Sequence, residues 1–205
     1  MKLYFAPGTC SMAAHIALCE TGLPHELVRV STKTHQTADG GDYYKINPKG
    51  QVPVLELDDG SLLTEGPVII QYLADLAGNT DLIPAAGTIE RYRVMEWQNY
   101  VGTEIHKSFT PIFNPAFDAA AKDAAKQVLR RKFEWLDGKL AGRSFLTGET
   151  FTGADAYLFA VSGWAKPVGL DISDLPNLQR FMATVAERPS VRQALEDEKK
   201  TAKEA

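Results

Sequence analysis

The first ten residues constrain this chain more than any other stretch. Lys2-Leu-Tyr-Phe5 has the aromatic and aliphatic composition of a strand, Pro7-Gly8 turns the chain, and Thr9-Cys10 opens a helical run through Met12 to Glu20. The first amides of a helix lack intrahelical partners and form the positive end of its dipole, so the Cys10 thiol is expected to meet positive potential. Such a position favours the thiolate and can bring a cysteine pKa down to about 3.5 to 7.5. The stretch predicts a thiol site; the competing reading is a small buried apolar residue. Cys19 lies deeper in the same run and is expected in the core. At ~1.5 Å per residue the two sulfurs would sit on the order of 13 Å apart along one axis, too far for a disulfide. Ala13 stands where a dithiol motif would need its second cysteine, so redox chemistry at Cys10 would be monothiol, through a mixed disulfide with a small thiol.

A chain of 205 residues suffices for one large domain or two small ones, and 44% hydrophobic with 23% charged residues is ordinary for a globular protein. A net charge of −4, without a dense basic run, argues against a nucleic-acid partner. Pro7, Gly8 and Thr9 interrupt the apolar stretch that a signal peptide would need, and no transmembrane run exists, so no membrane partner is expected. Two cysteines unable to pair point to a reducing compartment and predict a cytoplasmic location.

Gly22-Leu-Pro24 stops the first helix, and Glu26 to Val30 alternates as a strand. Ser31 to Asn47 suits a loop with a short helix near Tyr43-Tyr44, and Gly50 to Leu57 with Ser61 to Leu63 forms a hairpin around Asp58-Asp59-Gly60. Pro67 fits the first turn of a helix whose buried stripe would be Val68, Ile69, Tyr72, Leu73 and Leu76. These features predict an α/β domain over residues 1–78, a linker over 79–87 and an all-helical domain over 88–205. In the last, Glu90 to Thr110 reads as one long helix, broken over Pro111 to Pro115, and Asp118 to Leu140 as a second. Thr152-Gly-Ala-Asp155 is a capping box for a helix to about Trp164. Further helices follow Pro176 and, briefly, Pro189, before a charged tail from Glu196 that is expected to fray.

The helix over Glu90 to Thr110 carries a second constellation. At 100° per residue Tyr92, Asn99, Thr103, His106 and Thr110 fall within about 40° of one another, while Val94, Val101, Ile105 and Phe109 gather on another face. A stripe of hydroxyl, amide and imidazole suits a groove that hydrogen-bonds a polar ligand, though a satisfied buried network would show the same residues. Histidine titrates near neutrality, so His106 beside a thiolate or carboxylate can give or take a proton. His15, His25 and His35 show no ligand spacing with it, and no metal is expected.

Several pieces together resemble a cytosolic glutathione S-transferase, nearest the bacterial beta class. They are Pro7 to Ser11, Asn47-Pro-Lys-Gly-Gln-Val-Pro53, Thr64-Glu-Gly-Pro67, Asn99 with Glu104-Ile-His-Lys107, the cap at Thr152 to Asp155, and Arg188-Pro-Ser-Val191, in that order along the whole chain. The resemblance implies a thioredoxin-like N-terminal domain, an all-α C-terminal domain, a homodimer, and glutathione as co-substrate near the domain boundary. It implies that Cys10 faces the glutathione sulfur, forming a mixed disulfide or holding the thiol. It also implies a cis Val52-Pro53 bond presenting the Val52 main chain to the cysteinyl residue, and Glu65 with the Gly66 amide holding the γ-glutamyl end. Asn99, Thr103, His106 and Lys107 would form the opposite wall, with Glu104 reaching across from the partner subunit.

Two positions depart from the family pattern. Gly66 stands where many relatives carry serine, and His35 replaces a lysine expected near the glycyl carboxylate, which predicts weaker, more pH-dependent glutathione binding. The implied activity is attack of the glutathione thiol on a hydrophobic electrophile or a disulfide, in detoxification. Ser11 is the rival thiol-activating hydroxyl and Tyr4 a weaker one. Reductive dehalogenation or isomerisation in aromatic degradation and a non-catalytic binding protein are the alternatives. The second-substrate pocket would run from Pro111 to Phe117 and near Trp164, suited to a planar apolar compound.

Overall fold

The computed structural model describes residues 1–203. β1 (Lys2–Phe5) pairs in parallel with β2 (Glu26–Arg29) and antiparallel with β3 (Val54–Glu56), which pairs with β4 (Leu62–Thr64), giving the order β2-β1-β3-β4. Lys2 lies opposite Glu26 on one side, and Leu3 opposite Leu55 on the other. Side chains alternate across a strand, and β1 buries Leu3 and Phe5 beneath the helices and Tyr4 on the opposite face with Val30, Tyr43 and Val54. α1 (Ser11–Thr21) and α2 (Gly66–Ala77) cover the first face, while a single 3₁₀ turn at Tyr43–Lys45 covers the second.

The helical half follows a helix-free stretch after Gly78. It comprises α3 (Ile89–Tyr100), a wide π-type stretch at Val101–His106, a 3₁₀ turn at Lys107–Phe109 and α4 (Thr110–Phe113). α5 (Ala119–Lys139), α6 (Gly153–Ser162), α7 (Pro176–Ala186) and α8 (Pro189–Lys203) complete it. α6 is the central post. Ala154, Leu158 and Val161 are fully buried, and a Cβ at Gly153 would collide with Ile70, so only glycine lets α6 approach α2 this closely. Among the described residues no helix is long and apolar enough to cross a membrane.

Several expectations from the sequence are corrected. Pro111 does not break the helix. It occupies the first turn of α4, where the amide it lacks would be unpaired anyway, and the chain departs only at Asn114. The hairpin strands are shorter than Gly50 to Leu57, since Pro53 has no amide to donate to a ladder. The apolar stripe of α2 is Ile69, Ile70 and Leu73, whereas Val68 and Leu76 are about half exposed, because the helix packs on the sheet along a narrower face. The last helix is neither short nor frayed from Glu196. Glu198 is buried, its Oε2 accepts the Gly8 amide at 3.0 Å, and Arg29 donates to the Thr201 carbonyl at 3.2 Å, so α8 closes back on the opening turn. Cys10 and Cys19 are both free thiols; Cys19 is half-buried against the core.

Candidate functional site

A cavity of about 1000 Å³ lies between the sheet half and the helical half. Three loops leaving the sheet form one side: Gly8 to Cys10, the segment ending in the cis bond Val52-Pro53, and Thr64 to Gly66 at the start of α2. The other side is α3 and its continuation, through Asn99, Thr103, His106 and Lys107, and the far end is aromatic, with Phe109, Phe113, Tyr157 and Trp164.

Cys10 is the N-cap residue of α1, as the sequence predicts, and its Sγ donates to the Val52 carbonyl at 3.4 Å. Its ionisation runs opposite to expectation: burial pushes the thiol up to about 11, and nearby Glu65 adds to the rise. The Cys10 and Ser11 amides and Lys107 pull the other way without matching it. Cys10 is a neutral thiol at the helix start.

Glu65 holds a φ of 70°, a left-handed conformation that costs a non-glycine residue of order 1–3 kcal/mol and recurs at ligand clamps. Its exposed carboxylate pairs with Lys49 Nζ at 2.7 Å. Gly66 lies beside Pro53 with room for a Cβ at ordinary contact distance, so nothing in the packing forbids a serine there. His35, also at positive φ, lies on the Tyr44 ring with centroids 4.6 Å apart; it lines the cavity with a buried Nδ1 that has no partner. Thr103 Oγ1 donates to the Asn99 carbonyl at 3.1 Å.

His106 Nδ1 lies 2.6 Å from the Tyr157 hydroxyl. Burial lowers the imidazole to about 4, with Lys107 contributing, and burial holds the Tyr157 phenol above its ordinary value, so both groups are uncharged.

The structure does not bring every predicted residue to the cavity. Ser11 is fully buried and turned into the opening turn, where its Oγ accepts the Ala6 amide at 3.2 Å and lies 2.8 Å from Thr9 Oγ1. Ser11 is therefore a fold residue in this geometry. Tyr4 points from the opposite face of the sheet and donates to Glu56 Oε2 at 2.6 Å, and burial with that carboxylate keeps its phenol protonated. Glu104 lies outside the cavity and pairs with Lys132 at 2.9 Å. Tyr92 is exposed one turn beyond the cavity, and of the stretch from Pro111 to Phe117 only Phe113 lines it. Sequence reasoning missed Tyr157 and Lys49. Tyr157 was findable as the lone phenol in the helix that the Thr152 to Asp155 box starts, and Lys49 as the one cation in the Asn47 to Pro53 motif. Among the described residues no group of three or more His, Cys, Asp or Glu is placed to hold a metal.

A thioredoxin-like α/β half joined to an all-helical half, with a thiol at a helix start and a cis-proline loop facing one cavity, defines a two-domain thiol transferase. The description "Glutathione S-transferase, N-terminal domain" matches residues 8–76, and "Glutathione S-transferase, C-terminal domain" matches residues 100–189. The chain belongs to the glutathione S-transferases and is an enzyme of that family. It is 44% identical over 198 residues to glutathione S-transferase GstA of Escherichia coli O157:H7, covering 97% of this chain and 98% of that one. Among solved structures, a ternary complex of BphK, a bacterial glutathione S-transferase, is 46% identical with a TM-score of 0.93, covering 97% of this chain and 99% of that one. The beta-class enzyme of Sphingomonas chungbukensis is 42% identical with a TM-score of 0.93, covering 97% and 98%.

Proposed function

We propose that the cavity binds reduced glutathione between its two sides and directs the thiol at an apolar electrophile held at the aromatic end. The observation that carries this reading is the meeting of Cys10, the Val52 main chain and the Glu65-Gly66 start of α2 on one side of a cavity whose other end is four aromatic rings. The residues suit a tripeptide with an ammonium, two carboxylates and a thiol. Glu65 can pair with the γ-glutamyl ammonium, the amide end of α2 with its carboxylate, and the His35 imidazole, which lines the cavity, with the glycyl carboxylate. Asn99, Thr103 and Lys107 offer further polar contacts on the helical side.

In the reaction the glutathione sulfur loses its proton to solvent and forms a bond to carbon as the leaving group departs with the old bonding pair. Cys10, kept neutral by burial, can turn its one weak S–H from the Val52 carbonyl to the glutathione sulfur. The rate gain comes from holding the two substrates together and from lowering the cost of the thiolate. With oxidised glutathione a second reaction is open. The Cys10 thiol first gives its proton to solvent, its sulfur then attacks one sulfur of the disulfide, a mixed disulfide forms as the S–S bond breaks, and the second glutathione leaves as thiolate; the high Cys10 pKa makes this slow at neutral pH. A homodimer, with Glu104 directed at the partner's glutathione, and a cytoplasmic role in detoxification complete the reading.

Calorimetric titration with reduced glutathione at neutral pH tests it. Saturable binding at one site per chain is expected, with His35→Lys tighter by several-fold because a fixed cation replaces an imidazole. Absence of binding by the folded protein would overturn the assignment, and equal affinities would remove His35 from the glycyl site.

A further inference from the structure

One ion pair on the sheet side of the cavity occupies a contact that glutathione needs. Glu65, the residue assigned to the γ-glutamyl ammonium, already has a cation: Lys49 Nζ stands 2.7 Å from its Oε1 and donates to Thr64 Oγ1 at 3.1 Å. A primary ammonium thus sits where the ligand's own ammonium has to sit. The two side chains are 46% and 67% exposed, and a pair so open to solvent is held by little free energy. An incoming ammonium can displace it.

The base of Lys49 is fixed while its tail can swing. Asn47 is buried; its Nδ2 donates to the Gln51 carbonyl at 2.7 Å and its Oδ1 accepts the Lys49 amide at 3.2 Å. The Gly50 amide closes the turn on the Asn47 carbonyl at 2.8 Å. Gly50 has a φ of 64°, and a Cβ there would come within 2.7 Å of the Tyr44 ring and 3.0 Å of His35 Nδ1, so the turn lies directly on the His35–Tyr44 stack. The Lys49 main chain starts one residue from that contact, and its four-carbon stem carries the ammonium to Glu65. Its two ends therefore stand at the places assigned to the glycyl carboxylate and the γ-glutamyl ammonium. Among the described residues lining the sheet side of the cavity, Lys49 is the one lysine or arginine; Lys107 stands across from it on the helical side.

We propose that Lys49 is a specificity-determining residue that acts by exchanging partners. In the protein without ligand its ammonium stands in for the γ-glutamyl ammonium on Glu65. When glutathione binds, the ligand's ammonium takes Glu65, and the released Lys49 turns back toward the glycyl carboxylate beside His35. One ion pair is replaced by two, and every charge keeps a partner. A ligand that has the ammonium but not the carboxylate breaks the Lys49–Glu65 pair and leaves Lys49 without an anion. The site accordingly selects γ-glutamyl peptides with a charged carboxylate at the far end. This inference deepens the proposed glutathione site and rests on it.

Calorimetric titration of the full chain with glutathione and with its glycyl monoethyl ester, which masks that carboxylate, tests the exchange. The wild type is expected to bind glutathione about tenfold or more tightly than the ester, the worth of one charge-assisted contact. Lys49→Met keeps the stem and removes the charge at an exposed position. It should bind the ester about two- to fivefold more tightly than wild type, because nothing then competes for Glu65, and glutathione no more tightly than wild type, so that the preference shrinks to about threefold or less. An ester affinity that is unchanged or weaker in Lys49→Met would show that Lys49 does not compete for Glu65. An undiminished preference for glutathione would leave the glycyl carboxylate to His35 and Lys107. Either result overturns the exchange and leaves the glutathione site standing, whereas failure of the folded wild type to bind either compound would overturn the glutathione site and the exchange with it.

Discussion

A cysteine at a helix start experiences two opposed effects, and their sizes decide its state. The helix end is worth about 0.3–1 kcal/mol to an anion, which is less than one pKa unit at about 1.36 kcal/mol per unit. Removing the thiolate from water outweighs it at Cys10, and the Glu65 carboxylate pushes the same way, so the thiol stands at about 11. Alkylation of Cys10 by iodoacetamide in the free protein should accordingly be slow at neutral pH and accelerate without a break until about pH 11, and Cys10→Ala should keep conjugation within about tenfold while losing all mixed-disulfide formation. A break in the alkylation profile near neutrality would show a thiolate and contradict the burial argument. The position of Cys10, Val52-Pro53 and Glu65 was legible in the sequence because short-range turns and helix starts place them. The thiol's protonation was not, because it depends on how closely Glu65 and the helical half pack over it. Ser11 failed for a related reason: adjacency to Cys10 in sequence says nothing of which side of the turn a hydroxyl takes, and this one satisfies the Ala6 amide and is sealed from the cavity.

At the scale of elements, periodicity found the helix over Glu90 to Thr110 and its apolar face, for Val94, Val101, Ile105 and Phe109 are all buried. It did not find the widening at Val101–His106, which places Gly102 beside Tyr157 on α6, a contact between segments far apart in sequence. The cap of α6 was fully legible, since Thr152 and Asp155 satisfy each other locally. Asp155 accepts from the Leu146 amide and from the Thr152 amide and hydroxyl, each at 2.8 Å. Burial nevertheless outweighs these bonds and raises the carboxyl to about 6. The native state therefore keeps the proton between about pH 4 and 6, where the unfolded chain has lost it, and stability must fall as pH rises through that window and level off above it. Urea unfolding of wild type against Asp155→Asn should show this as a relative loss of up to about 3 kcal/mol across the window. At neutral pH Asp155→Ala should cost about 2–4 kcal/mol, as two buried amides lose their acceptor. Wild-type stability rising with pH relative to the Asn variant would mean that the hydrogen bonds, not burial, set the carboxyl.

For the whole molecule, the unexplained feature of a single chain is the apolar surface on its two adjacent helices α2 and α3. Val68 and Leu76 on α2 and Ile89 and Tyr92 on α3 are 47 to 61% exposed. The two helices are locked together by Arg91, which grips both oxygens of Asp75 at 2.7 and 2.8 Å, so these side chains sit on a rigid support. Apolar residues gathered on such a support mark an association surface, and the proposed homodimer is its occupant. Glu104 fits the same arrangement. In its own chain it pairs with Lys132 outside the cavity, so any contact with glutathione has to be made across to a second chain. Sedimentation of the wild type is expected to give a dimer of 22.5 kDa chains, and Leu76→Arg combined with Tyr92→Arg, both outside the cavity lining, a folded monomer, because two cations would be buried without partners. The monomer should bind glutathione more weakly than the dimer, and Glu104→Gln should weaken the dimer's binding but leave the monomer's unchanged. If the double variant stays dimeric, the association surface lies elsewhere; if Glu104→Gln weakens the monomer as much as the dimer, the carboxylate acts within its own chain and the shared site is wrong.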